Sequence, residues 1–193
     1  TTPWVTLGLL LVNALVFGYE CLLTDEGATR LFLDYGLVPA QFSWLTATTS
    51  LFLHTGWLHV GSNLLCLWLF GDNIEDRLGH GRFLVFYLLG GYVAGLLEVW
   101  SHPGASVPLV GASGAVAGIM GAYLVLFPYS RILVLIVLVV FIDIVEVPAI
   151  AFLGLWAVLQ VLGGVGRLAD APTLGGIAFL THLGGFLAGV LGI

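Results

Sequence analysis

The stretch "PLVGASGAVAGIMGAYL", Pro108 to Leu124, places a small residue at nearly every turn of what reads as one apolar helix. Gly111, Gly114, Gly118 and Gly121 recur at three- or four-residue spacing, with Ala115, Ala117 and Ala122 between them. Small residues at that spacing let helix backbones approach closely in lipid, so the stretch predicts a helix in intimate contact with another. One hydroxyl, Ser113, stands among them.

The remaining sequence suits such a setting. Hydrophobic residues make up 60% of the 193 and charged residues 8%, and the mean hydropathy is +1.10. Soluble domains are roughly half apolar and about a quarter charged, so this is the composition of an integral membrane protein. The net charge of −6 sets eleven acids against five arginines with no lysine, and the acids are scattered between apolar runs. That pattern excludes a nucleic-acid partner. Cys21 and Cys66 lie in separate apolar runs without CxxC spacing and read as packing residues.

A spanning helix needs about 20 mostly apolar residues. Six segments meet that need, at 3–23, 57–76, 82–100, 109–127, 147–165 and 174–193. The expected fold is therefore all-α and polytopic, a single unit over 1–193. The first segment has Pro3 at a first helical position and Trp4 at interface depth, without a signal peptide's cleavage pattern, and is expected to be retained. The long linker 24–56 carries Leu31, Phe32, Leu33, Phe42, Trp44, Leu51 and Phe52, which predicts a loop lying along the membrane surface. "ILVLIVLVVFI", 132–142, is wholly apolar but too short to span, so it reads as interfacial, re-entrant or buried, with Pro148 starting the next helix.

With six spans, Arg77, Arg82 and Arg131 fall on one side with both termini, and Arg30 and Arg167 on the other. The excess of positive charge places the termini in the cytoplasm. The second, fourth and sixth spans then enter from the outer face. His59 and Asn63, four apart, share a face near the outer end of the second; Ser113 lies about one turn into the fourth and His182 about two turns into the sixth. A seventh span at 132–142 would send His182 in from the opposite side.

Ionisable groups at that depth are costly and usually functional. Gly184, Gly185, Ala188, Gly189 and Gly192 in the sixth span match the small residues of the fourth, so a serine on one face can meet a histidine on the other. An alcohol becomes a nucleophile when an imidazole takes its proton. The Asn63 amide, the His59 ring and the Ser113 backbone N–H are candidate donors to an oxyanion. His54 is expected to shape the loop entrance, His80 and His102 to be solvated in short linkers, and Glu75, Asp76 and Arg77 to form a local ion-pair or capping cluster. No chemistry falls to Glu20 or Glu98.

Four stretches carry a family resemblance: "HTGWLHVGSN", "FGDNIEDRLGHGRFLVFYLLGG", "VGASGAVAGIMGAYLVLFP" and "THLGGFLAG". In order and content they resemble the motifs of the rhomboid intramembrane serine proteases, over nearly the whole chain. The resemblance implies a six-helix core with a membrane-associated first loop. It makes Ser113 the nucleophile and His182 the general base of a dyad without an acidic third member. It sets His59 and Asn63 around the oxyanion, with His54 and Gly111 on the same oxyanion or substrate side. Two departures stand out. Trp44 is followed by Leu45 where many bacterial relatives have Trp-Arg, and Ala117 stands where some members carry a tyrosine that stacks on the histidine.

The implied reaction is hydrolysis of a peptide bond in or near the transmembrane segment of a membrane-protein substrate, within the lipid bilayer and without metal or cofactor. A prokaryotic inner membrane is the expected location, with the site opening to the outer face. No histidine is followed by glutamate as HExxH requires, and Asp72 of "FGDN", at a helix end, does not supply the paired aspartates within helices that an aspartyl intramembrane protease needs. A small transporter or channel, or a catalytically silent rhomboid-like binder of helices, are the alternatives.

Overall fold

The computed structural model describes residues 1–138, 141–166 and 179–193. Helices α1 (Trp4–Glu20), α2 (Asp25–Tyr35), α3 (Trp44–Thr49), α4 (Trp57–Leu78), α5 (His80–Ser101) and α6 (Ser113–Leu126) are followed by strands β1 (Arg131–Leu138) and β2 (Phe141–Pro148), then α7 (Ala149–Gly166) and α8 (Phe179–Gly192). Five of the six apolar runs hold a helix along most of their length, and the described part of the sixth is α8, with 174–178 outside the described residues. The fourth departs at its start. Gly111 has φ +125, a conformation that favours glycine, and its N–H donates to Ser50 O at 2.8 Å, so the helix begins at Ser113 rather than 109. Ser113 is therefore its first residue.

The described residues of the 132–142 run belong to two paired strands, β1 and the start of β2, which makes the chain mostly helical rather than all-α. β1 and β2 pair antiparallel from Arg131 opposite Pro148 to Leu138 opposite Phe141. A run rich in Val, Ile and Leu suits a pleated ribbon better than a helix too short to stand alone. Pro148 closes β2 instead of opening a helix, and the Ala149 N–H at the start of α7 donates to Ser130 O at 2.8 Å. The hairpin thus returns the chain to the end it left. Helices α4, α6 and α8 all start at the opposite end.

Helix α6 is the centre of the bundle, with every residue from Gly114 to Tyr123 buried. A Cβ on Gly185 would overlap Gly114 O, and one on Gly189 would overlap Gly118 O, so α6 and α8 touch backbone to backbone. The outer faces are the reverse of a soluble protein's, with Leu15, Leu58, Leu89, Leu155 and Leu191 all exposed. Among the described residues, His80–Ser101 is the helix both long and apolar enough to cross a membrane unaided, while α1, α6 and α8 are shorter apolar helices. Cys66 is half-buried, but Cys21, expected to pack, is exposed at the end of α1.

The acids expected to cluster locally instead tie helices together. Glu75 on α4 is buried and accepts from Val5 N at 2.9 Å, Thr6 N at 2.7 Å and Thr6 Oγ1 at 2.6 Å, which caps the first turn of α1 from another helix. His80 is not free in a linker. It opens α5 with its ring 2.5 Å from Glu75, and His102 likewise pairs with Glu98 at 3.0 Å. Arg77 lies over the Phe127 ring, 5.7 Å from its centroid, which sets the ends of α4 and α6 at one level.

The first loop packs on the protein as well as facing outward. Leu37, Leu51 and Leu53 are buried, whereas Trp44 and Leu45 are exposed. Trp44 packs edge-on against Phe42 and against Tyr92 of α5, so the loop has an aromatic anchor in this chain without an arginine after the tryptophan. Leu37 and Leu109 exchange two backbone hydrogen bonds, and Ala40 N donates to Ala105 O. The loop therefore holds the segment that leads into Ser113.

Candidate active site

Depth follows from the packing. A Cβ on Gly114, next to Ser113, would meet the Cβ of Ala94, and α5 continues seven residues beyond Ala94 to Ser101. At 1.5 Å per residue, Ser113 is recessed by about 10 Å from that end of α5. Ser113 lines a small cavity with Ser50, Gly111, Gly114 and Thr181. Its hydroxyl makes no hydrogen bond to a described residue.

Gly111 brings the first group together. A Cβ there would lie 2.5 Å from His59 Nε2 and 3.8 Å from Asn63 Nδ2, so a bare Cα is required for both side chains to reach this turn. Asn63 Nδ2 is buried with no hydrogen-bond partner among the described residues. Leaving such a donor unmade is costly, so this amide is a donor available to a group that enters the turn. His59 Nδ1 lies 3.2 Å from Thr55 Oγ1, which turns Nε2 toward Gly111.

His54 sits behind this group. It is buried, its ring is 5.0 Å from the His59 ring at 65°, and its Nδ1 lies 3.3 Å from Phe52 O. Its backbone N–H donates to Glu20 Oε1 at 3.1 Å, so Glu20 fixes the loop rather than standing idle. Burial, with His59 beside it, pushes the His54 imidazole from 6.5 down to about 4. Between those values the unfolded chain binds the proton and the folded chain does not, so stability rises with pH across that window and falls as pH drops through it. His54 is therefore expected to contribute a fall in thermal midpoint from pH 6.5 to 4, and His54→Phe to remove that contribution. An unchanged slope in that variant would remove His54 as its cause.

His182 lies in the described part of α8, three residues after Phe179, and the earlier part of that apolar run, 174–178, is outside the described residues. Its Nδ1 lies 2.9 Å from Gln160 Oε1 on α7, and its ring is 6.1 Å from that of Trp156 with a 35° tilt. Trp156 thus supplies the ring that Ala117 does not. The residue beside His182, Thr181, would meet a Cβ on Gly114 at 3.2 Å through its Cγ2. Ser113 and His182 are therefore carried on backbones in van der Waals contact, and no hydrogen bond joins them in this structure. Sequence reading passed over Gln160 and Trp156. The available signal was an amide in the wholly apolar run 149–166, four residues after an aromatic.

A glycine-packed helical bundle with a recessed serine and histidine on contacting helices defines a class of polytopic helical protein. Comparison with known proteins narrows the class. The Rhomboid domain matches residues 41–193, and the chain belongs to the rhomboid family. "Rhomboid protein 1, mitochondrial" of Saccharomyces cerevisiae is 31% identical over 189 residues, 95% of this chain and 50% of that protein. "Rhomboid protease GluP" of Bacillus subtilis is 39% identical over 85 residues, 44% of this chain and 16% of that protein. "Putative rhomboid protease YdcA" of the same species is 36% identical over 90 residues, 47% of this chain and 45% of that protein. The chain spans half or less of the length of each of these relatives. Others are named for chloroplast and mitochondrion, so the likeness extends across compartments rather than pointing to a prokaryotic membrane.

Proposed function

We propose that the chain is an intramembrane serine endopeptidase with Ser113 as nucleophile and His182 as general base. The observation that carries this is the Gly114 contact with Thr181 and Gly185, which sets the two helices together beside both residues. His182 Nδ1 faces Gln160, which leaves Nε2 for the serine. In the first step Nε2 takes the Ser113 proton as Oγ bonds to the carbonyl carbon of the scissile peptide. His182 then gives that proton to the leaving amine as the C–N bond breaks. Water, deprotonated by His182, cleaves the resulting ester.

The developing oxyanion lies among Asn63 Nδ2, the His59 ring and the Ser113 backbone N–H at the start of α6. Asn63 Nδ2 has no hydrogen-bond partner among the described residues and is free to serve the oxyanion, so Asn63→Ala is expected to lower kcat by about 100- to 1,000-fold. Its thermal midpoint should hold, since deleting an unpaired buried donor removes a penalty. A midpoint that falls with activity would make Asn63 a structural residue.

In this reading α1 and α4–α8 are six spans. Arg77, Arg82 and Arg131 lie at the end with the hairpin, which faces the cytoplasm; Arg167 lies outside the described residues. The site then opens to the outer face, where water can reach a hydroxyl recessed by about 10 Å. Substrates are the transmembrane segments of other membrane proteins, and they must unwind locally, because helical peptide bonds are shielded by their own hydrogen bonds. Small, helix-weakening residues are therefore favoured near the cut.

A fluorescent fluorophosphonate applied to the detergent-solubilised chain tests the reading without knowing the substrate. Labelling that His182→Ala and Ser113→Ala both abolish, in folded protein, supports it. A folded parent that resists labelling favours a silent binder of helices or a channel.

A further inference from the structure

We infer that Gln160 is a positioning residue for His182, an uncharged third member that accepts from Nδ1–H and presents Nε2 to Ser113. The inference rests on the serine–histidine reading above. It starts from the way α7 lies along α8. Trp156, Gln160 and Gly163 share one face of α7, at steps of four and three. Trp156 meets Phe186 at 5.5 Å between ring centroids, Trp156 and Gln160 both meet His182, and a Cβ on Gly163 would overlap the Phe179 ring. The two helices run antiparallel, so advancing along α7 retreats along α8 in matching steps. That packing delivers the Gln160 amide to the ring whether or not the hydrogen bond forms.

The chemistry gives the bond its consequence. A neutral imidazole carries its proton on one nitrogen, and its other nitrogen is the base. Gln160 Oε1, 2.9 Å from Nδ1, is an acceptor and selects the tautomer with Nδ1–H and a bare Nε2. The Trp156 ring restrains the imidazole plane from one side. Together they fix which nitrogen faces Ser113 and at what angle. An acid is not required, because an amide oxygen supplies the acceptor without burying a charge in the bundle.

The rival role is polar glue between helices, since a glutamine also satisfies a histidine in an apolar setting. Two substitutions separate the roles. Gln160→Met keeps length and shape without the acceptor, and Gln160→Glu keeps an oxygen at the same place whether or not it is ionised. The full chain, its His182→Ala variant and both substitutions are to be reacted with the fluorophosphonate probe over a concentration series, resolving the maximal rate from half-saturation, alongside thermal unfolding.

Positioning predicts that Gln160→Met loses about 10- to 100-fold in maximal rate with half-saturation held, whether or not the midpoint falls with the lost acceptor, and that Gln160→Glu recovers most of the rate. A Gln160→Met chain reacting at the parental rate overturns the inference and leaves Ser113 and His182 as proposed. Equal losses in both variants with falling midpoints also overturn it, in favour of glue. A folded parent that does not react, like its His182→Ala variant, overturns the serine–histidine reading itself, and the role of Gln160 falls with it.

Discussion

Replacing Ser113 by alanine is expected to eliminate hydrolysis and fluorophosphonate labelling, with a loss on the order of 10⁶-fold in kcat, while the thermal midpoint stays where it was. The two halves of that expectation have different origins. The loss is large because the nucleophile has no understudy. The other hydroxyl neighbours of the cavity, Ser50 and Thr181, already donate to Ala47 O and Glu98 Oε2. Stability holds because Ser113 Oγ has no bond to lose among the described residues, and removing one oxygen from the edge of a cavity leaves the packing intact. Activity surviving in Ser113→Ala would transfer the chemistry to another group and return the hydroxyl to a packing role. Loss of activity together with loss of the fold would show that the oxygen has a structural partner.

The second large effect is expected at the α6–α8 contact. Gly189→Val should destabilise the fold severely, because its Cβ would overlap the Gly118 carbonyl, and a backbone atom inside two packed helices cannot swing aside. Overpacking of this kind costs about 1–3 kcal/mol and often more where backbone must move. Gly189 is chosen over Gly185 because it lies a further turn from His182, so lost activity would follow from lost structure. Gly154→Ala on α7 is the control, since nothing lies within 4 Å of its Cβ position. That change should hold or raise the midpoint, alanine being the better helix former by about 1 kcal/mol. A Gly189→Val chain that unfolds at the parental midpoint would show that α6 and α8 do not depend on this contact.

Helix positions were legible because their cause is local. An apolar run of about 20 residues has few other ways to satisfy its backbone, and the predicted 57–76 and 82–100 stand as α4 and α5 with two residues or fewer added at each end. Where the cause was not local, the reading stopped. The apolar run at 132–142 lacks the alternation of a half-buried strand, and its first part pairs with a partner strand that extends beyond the run to Pro148, Arg131 lying opposite Pro148. The start of α6 depends on Ser50 holding Gly111 from a loop sixty residues earlier.

The sequence by itself determined the apolar helical nature of the chain and the small-residue faces, and it singled out Ser113, His182, His59 and Asn63 as candidates, since each is a polar residue conspicuous in an apolar run. Tertiary structure alone decided how they are served. Glu75 caps a helix on α1, Glu20 holds the His54 backbone, and Gln160 and Trp156 reach His182 from α7. Residue type and spacing fix what a side chain can do within its own few turns. The partner that sets its orientation arrives from another helix, through a packing register that no local pattern encodes.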